Sequence, residues 1–284
     1  MKDNGKSIYN KEEYNLLHMS VEDGVATITL DNAPVNALSG KMMKELKQLL
    51  GDLATESSIK VIVFESANPY FFIAHVDINI LGEQEVLEEL SAEAPKGFNI
   101  FQAVGQMLRE QPQVTIVNLK GIARGGGAEF VTAADMSFAS LEKGKLAQCE
   151  ALMGIIPGGG ATQFLSTKMS RNKVLEIILG SDLFDATTAE RYGWINRAMP
   201  HAEIDGFVYE LSHNIAALPD GVIEATKKVL TPHTDLNGFA AEHEQWATLA
   251  YNAKTTEIMT KAMENGAQTM EGELKLEKLL RDLI

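Results

Sequence analysis

The sequence predicts an α/β core that carries an all-helical C-terminal lobe. Apolar runs with strand character alternate with segments of helical period up to about residue 200, and from residue 201 only helical period remains. The length, 284 residues, suffices for one large domain or for a core with a smaller lobe. A composition of 45% hydrophobic and 23% charged residues fits a globular chain, and no apolar run is long enough to span a bilayer.

The elements follow in order. Residues 1–17 are polar and mixed in charge, and read as a loose leader rather than a secretory signal. Residues 18–200 read as the core and residues 201–284 as the helical lobe. Val25–Leu30 is a strand closed by the turn residues Asp31-Asn32-Ala33-Pro34. Ser39 can cap a helix whose apolar face runs from Met42 to Leu53. Lys60–Phe64 is a buried strand, and a short run from Tyr70 to Ala74 leads into His75-Val76-Asp77. Residues 79–97, crowded with glutamates, read as a mobile and partly helical connection, a pocket wall or lid by position. Helical period resumes from Phe98 to Arg109, and Pro112 separates it from the strand Val114–Leu119. Helices follow with Ser170 and Asp185 as caps, and a short strand covers Trp194–Met199. His201–Leu218, Gly221–Leu230, Leu236–Glu264 and Glu271–Leu283 all read as helical.

Charge and cysteine usage narrow the partners. A net charge of −14 argues against nucleic acid or an anionic membrane, while leaving room for an anionic ligand held by a few local cations. The single cysteine, Cys149, cannot form an internal disulfide and fits a reducing compartment, so the cytoplasm is the expected location. Cys149 itself reads as a small buried residue rather than a nucleophile.

The chain centres on Ile116–Gln163. Two glycine triplets lie there, Gly125-Gly126-Gly127 and Gly158-Gly159-Gly160, with Glu129 after the first and Glu150 before the second. A strand, then glycines, then a helix places unpaired N–H groups at a helix start, where negative charge is favoured. Taken alone, such a triplet reads as a tight turn with close helix–strand packing.

Several segments in register resemble the crotonase (enoyl-CoA hydratase/isomerase) superfamily. Pro34-Val-Asn-Ala-Leu38 resembles its Asn-Ala-Leu element, and Phe72-Ile-Ala-His-Val-Asp-Ile78 its Phe-x-Ala-Gly-Ala-Asp-Ile segment. Gly121-Ile-Ala-Arg-Gly-Gly-Gly-Ala-Glu129 resembles its glycine-rich block. Gln148-Cys-Glu150 with Gly154-Ile-Ile-Pro157 and Gly158-Gly-Gly-Ala-Thr-Gln163 resembles its Pro-Glu-x-x-x-Gly-x-x-Pro-Gly-x-Gly-x-Thr-Gln block. The resemblance implies a spiral of repeated ββα units with a helical lobe used for trimerisation, often as stacked trimers in a hexamer. It also implies an acyl-CoA thioester substrate, with no metal and no cofactor beyond the CoA that is part of the substrate.

Carried over residue by residue, the resemblance makes the backbone N–H groups of Ala74 and Gly126 an oxyanion hole, and Glu129 and Glu150 the catalytic pair. Glu129 then activates water and Glu150 exchanges the α-proton, which favours reversible hydration of a 2-enoyl-CoA. The alternatives are double-bond isomerisation, another acyl-CoA hydrolase or lyase reaction on the same scaffold, or a catalytically weak acyl-CoA-binding oligomer. Gly125, Pro157, Gly158 and Asp77 are further substrate-binding candidates, Asp77 and Asp135 also reading as local structural acceptors. Three departures stand out. His75 and Val76 replace a small Gly-Ala pair; they are expected to pack away from the ligand, the sharper alternative bringing His75 into the pocket. Arg124 stands where an apolar residue is usual, and reads as an ion-pair partner or a contact for a CoA phosphate or substrate carboxylate. Thr255–Met263 replaces the usual C-terminal segment, leaving Lys227 and Lys261 as possible phosphate contacts.

Overall fold

A computed structural model describes residues 14–92, 94–230 and 234–284. The hairpin β1 (Leu17–Glu22) and β2 (Val25–Leu30) is followed by α1 (Gly40–Ala54), β3 (Val61–Ser66) and β4 (Phe71–Ile73). A short 3-10 turn (Ile78–Gly82), α2 (Gln84–Ala92) and α3 (Ile100–Glu110) lead to β5 (Val114–Leu119), β6 (Ile122–Arg124) and α4 (Gly126–Ala133). Next come β7 (Met136–Ser140), β8 (Lys145–Ala147), a second 3-10 turn (Glu150–Met153), α5 (Ala161–Lys168) and α6 (Arg171–Gly180). The core ends with β9 (Phe184–Asp185), α7 (Ala186–Tyr192) and β10 (Arg197–Met199). Helices α8 (His201–Ala216), α9 (Val222–Val229), α10 (Leu236–Ala250), α11 (Ala253–Glu264), α12 (Met270–Glu273) and α13 (Leu276–Arg281) complete the chain.

Successive strand pairs alternate between two sheets. One sheet has six strands in the order β1-β2-β3-β5-β7-β10, and the other has four, β4-β6-β8-β9. Each of β3/β4, β5/β6 and β7/β8 sends its first strand to the large sheet and its second to the small one, which is the spiral of ββα units that the resemblance implies. Both faces of the large sheet are covered. Ile62 and Phe64 of β3 join the main core under α1 and α3, and Val61 and Val63 face a second core closed by Ile204 and Val208 of α8. Strands buried on both faces read as continuous apolar runs, which is why β3 and β5 were legible.

Where expectation and structure differ, the causes are local. The expected leader over residues 1–17 lies mainly outside the described residues. Within it, the N–H groups of Asn15 and Leu16 donate to the buried Glu45 of α1 at 3.0 and 2.8 Å, and Leu17 opens β1. The helix expected over 236–264 is two helices, because the Asn252 side chain accepts from Lys254 N at 2.9 Å and caps a new start. Met270–Glu273 and Leu276–Arg281 likewise replace one longer helix. The connection over 79–97 contains the first 3-10 turn and α2, whose Leu90 is buried in the main core.

Asn36 ties three strand ends together. It is 1% exposed and left-handed at φ 52°, a conformation that Asn tolerates better than most residues. Its Nδ2 donates to Leu30 O at 3.1 Å, Ser66 Oγ at 2.7 Å and Phe72 O at 3.3 Å, and its Oδ1 accepts from Asn32 N at 2.6 Å. These bonds fix the segment Val35–Leu38 between β2, β3 and β4. Asn36→Ala therefore strands several buried polar groups and places alanine at positive φ. The expected loss is about 2–4 kcal/mol in urea unfolding; a loss under about 0.5 kcal/mol removes the cross-link argument.

Candidate active site

Two backbone N–H groups meet at one cavity. After β4 the chain forms an isolated parallel bridge in which Leu38 N donates to His75 O at 2.8 Å and Asp77 N donates to Leu38 O at 3.1 Å. The peptide on each side of Val76 is thereby held, while Val76 N–H has no acceptor among the described residues. At the other wall, Gly125 N donates to Ala147 O at 3.0 Å and Gly125 O accepts from Glu129 N at 2.9 Å. Gly126 N–H, the first of α4, likewise has no acceptor among the described residues. Val76 and Gly126 both line the cavity.

The expectation for Ala74 is corrected here. Its N–H donates to Val35 O at 3.3 Å, and its side chain packs with Val35, Phe71 and Ile122, apart from the cavity. The unspent donor is two residues further on, at Val76. The first glycine triplet has a separate reason at each position. Gly125 sits at φ 49°, a Cβ on Gly126 would collide with Val76 Cγ2, and a Cβ on Gly127 would lie 2.8 Å from Ile73 Cβ.

Three carboxyl groups converge on the same region. Glu129, in the first turn of α4, accepts from Gly159 N at 2.8 Å and Ala161 N at 3.0 Å, both through Oε1. Its Oε2 accepts no hydrogen bond among the described residues. Glu150, at the start of the second 3-10 turn, has Oε1 2.9 Å from where a Gly125 Cβ would stand. The Gln148 amide faces Glu150, and with its nitrogen turned to the carboxylate it donates to both oxygens at 3.0 and 3.1 Å. Glu242, from α10, accepts from Gly160 N at 2.7 Å, Thr162 N at 3.0 Å and Gln102 Nε2 at 3.1 Å. The start of α5 thus feeds alternate N–H groups to Glu129 and to Glu242.

Burial sets the titration of these groups. It holds Glu129 well above the usual carboxylate range, the charges of Glu150 and Glu242 adding to it and the two N–H donors opposing it. Burial pushes Glu150 up to about 8, its own backbone N–H and His75 opposing and Glu242 adding. Glu242 is raised by burial against its hydrogen bonds from Thr162 and Gln102.

The remaining candidates divide. Gly125, Gly158, Asp77 and His75 line the cavity; Pro157 adjoins it without lining it. Asp77 also caps the first 3-10 turn by accepting from Asn79 N at 2.9 Å. The His75 ring does not face solvent: its Nε2 is 2.9 Å from Glu273 Oε1. Arg124 is 0% exposed and pairs with Glu277, its Nη2 donating to Oε2 at 3.1 Å, with Glu273 at 3.5 Å. Lys227 meets Asp135 at 2.6 Å and Lys261 meets Glu257 at 2.6 Å. Cys149 is buried, and burial raises its thiol well above the usual range. The apolar walls come from residues 79–109 and the helical lobe, through side chains that the sequence did not single out: Phe101 of α3, Trp246 of α10 and Met259 of α11. Phe101 and Trp246 pack at a tilt, with ring centroids 5.3 Å apart and planes inclined by 60°, and the indole lies 2.7 Å from where a Gly158 Cβ would stand. Glu242 and Trp246 share one face of α10 at i, i+4 spacing, the only sequence signal either carried.

The enoyl-CoA hydratase/isomerase family model matches residues 20–271. The short-chain-enoyl-CoA hydratase of Clostridium acetobutylicum is 26% identical over 219 residues, 77% of this chain and 82% of that protein. The fatty acid oxidation complex subunit alpha of Aliivibrio fischeri is 30% identical over 184 residues, 63% of this chain; the match spans only 26% of that longer protein. The crystal structure of a candidate enoyl-CoA hydratase from Streptomyces avermitilis superposes with a TM-score of 0.94 at 52% identity, covering 95% of this chain and 98% of that one. Enoyl-CoA hydratase from Bacillus halodurans superposes with a TM-score of 0.76 at 21% identity, covering 87% and 99%, a likeness of fold.

The raised carboxyl groups carry a stability cost with a definite sign. An unfolded glutamate titrates near 4.3, whereas folded Glu150 titrates at about 8. The native state therefore holds the proton more tightly, and its stability is lost as pH rises from the unfolded value through about 8. Relative to the native protein, Glu150→Gln is expected to gain melting temperature as pH rises, by at least about 2 °C at the alkaline end. Thermal melts of both proteins from acid to alkaline pH check this; a pH-independent difference removes the assignment.

Proposed function

The chain belongs to the enoyl-CoA hydratase/isomerase family, and from that premise we propose that it is an enoyl-CoA hydratase. The observation that carries the reading is one cavity holding two buried carboxyl groups and two unspent backbone N–H groups. Two such donors lining one cavity suit a thioester oxygen that becomes an enolate oxygen. We assign them to Val76 and Gly126, with Gly126 at the positive end of α4.

The carboxyl groups divide the proton work. We give Glu129 the ionised role although burial raises it: the start of α5 donates two N–H groups to its Oε1, and the opposing charge of Glu150 is absent while Glu150 keeps its proton. Its Oε2 accepts a proton from water as the water oxygen bonds to the β-carbon of a 2-enoyl-CoA. The electron pair of the double bond moves toward the thioester oxygen, held by Val76 and Gly126. Glu150 keeps its proton near neutrality and delivers it to the α-carbon, which restores the thioester carbonyl. Water has then been added, with one proton taken up by Glu129 and one released by Glu150. Isomerisation moves a proton without holding a water, so the second carboxylate with a free oxygen favours hydration. Neither a metal nor a redox cofactor enters this reaction. The same reading carries a trimer or hexamer assembled through the helical lobe, and a cytoplasmic location.

Turnover of crotonyl-CoA and longer 2-enoyl-CoAs, followed by loss of the conjugated thioester absorbance, tests the proposal. Glu129→Gln and Glu150→Gln are each expected to lower kcat about 10²–10⁴-fold. In the native protein the hydration rate is expected to fall as pH rises through about 8, where Glu150 loses the proton it must give. Absence of native turnover across the panel sinks the hydratase reading.

A further inference from the structure

A buried charge cluster lies directly beneath the proposed donors. His75 is 4% exposed, in the loop that carries Val76. Its Nδ1 is 2.7 Å from Val76 O and its Nε2 is 2.9 Å from Glu273 Oε1. Both partners are acceptors. A neutral imidazole has a single N–H, and two such contacts require two. His75 is therefore an imidazolium.

The charges around it agree. Glu273 comes from α12, Arg124 from β6 and Glu277 from α13, where it pairs with Arg124. Glu150 and the thiol of Cys149 face the cluster from the second 3-10 turn. Two cations and two carboxylates balance only with His75 charged; a neutral ring leaves one buried carboxylate uncompensated. Burial, foremost, and Arg124 work to remove the His75 proton, but the hydrogen bond and charge of Glu273 with the Val76 carbonyl outweigh them, and the group is raised. Glu273 is in turn held below the usual range: burial, the largest influence, pushes it up, and His75, Gln268 N–H and Arg124 prevail.

We propose that His75 is a positioning residue for the reaction: an imidazolium clamped by Glu273 of the helical lobe, which fixes the Val76 peptide as an oxyanion donor and sets a positive charge beside Glu150. The first effect is geometric. Nδ1–H holds the carbonyl that follows Val76, and Leu38 N–H holds the carbonyl that precedes it, so Val76 N–H is the group left for the developing oxyanion. The second is electrostatic. Gly125 is flanked by His75 Cβ, 3.9 Å from where its Cβ would stand, and by Glu150 Oε1 at 2.9 Å from the same point. The ring carried by that Cβ opposes burial at Glu150, so its charge favours the negative charge that Glu150 takes on as it gives up its proton.

The kinetic part rests on the hydratase reading; the charge state does not. The test joins ¹⁵N NMR of the imidazole, assigned through the backbone, with pH–rate profiles on crotonyl-CoA. In the native protein both His75 nitrogens are expected to stay protonated beyond the ordinary imidazole range, and in Glu273→Gln the ring is expected to lose one proton at lower pH than in the native protein. His75→Gln is expected to lower kcat about tenfold or more with KM within about twofold, and to move the alkaline limb to higher pH because Glu150 loses its cation. A neutral His75 ring in native protein near pH 7 overturns the proposal without reference to any variant. So does an unmoved alkaline limb in a folded, active His75→Gln. A native protein that turns over no enoyl-CoA loses the hydratase reading, and the kinetic role of His75 with it, and that result is distinct from native turnover with a neutral ring.

Discussion

Negative charge buried in an apolar cavity is the constraint on which the site depends. Glu129, Glu150 and Glu242 are each no more than 6% exposed, and none has a lysine or arginine against its oxygens among the described residues. Backbone N–H groups take that part. Gly159 and Ala161 serve Glu129, and Gly160 and Thr162 serve Glu242, so one helix start divides its orphan donors between two acids. This arrangement leaves the proton inventory adjustable. A lysine at hydrogen-bonding distance would hold a carboxylate ionised over the working pH range, whereas neutral donors against burial leave these carboxyl groups above the usual carboxylate range.

The donors must themselves be rigid, and the fold supplies that through peptide planes whose carbonyls are already occupied. Asn36 fastens Val35–Leu38 to the ends of β2, β3 and β4. Leu38 then bridges to Val76 and holds the peptides around it. On the facing wall the Gly125 carbonyl accepts from Glu129 N, so the residue that carries one of the proposed reacting carboxyl groups also fixes the plane of the Gly126 N–H. Donors fixed before charge develops need no reorganisation when it appears, which is the main advantage of backbone N–H over side-chain donors.

Much of this was legible in the sequence, and the failures have physical causes. The buried strands Val25–Leu30 and Val114–Leu119, the Ser39 cap and the glycine blocks announced themselves by composition and spacing. β1 did not, because alternate residues of Leu17–Glu22 are polar and exposed, so it resembles a polar leader. β6 and β8 have three residues each, too few for a period. The choice between Ala74 and Val76 could not be made from spacing alone: it depends on which N–H is spent, and the acceptor for Ala74, Val35 O, sits in a different segment. His75 and Glu273 are 198 residues apart, and a charge pair at that separation leaves no local trace. Glu242 and Trp246 looked like any residues of a helix because their partners, Gly160 and Gly158, belong to the core.

These lobe residues point to a division of labour. The proposed reacting groups, Val76, Gly126, Glu129 and Glu150, all come from the spiral, on elements tied to the two sheets. The walls around them come from three helices, through Phe101, Trp246 and Met259. Side chains on those helices can change size without disturbing a peptide plane that carries a donor, so acyl shape can vary while the chemistry stays fixed. The exceptions are Glu242 and Glu273, which reach from the lobe into the hydrogen bonding of α5 and of His75. A shift of α10 or α12 would therefore disturb Glu129's neighbours and the Val76 loop together. Helices α3, α10 and α11 are the adjustable part of the cavity, and through two buried carboxylates the lobe is also part of the support for its reacting groups.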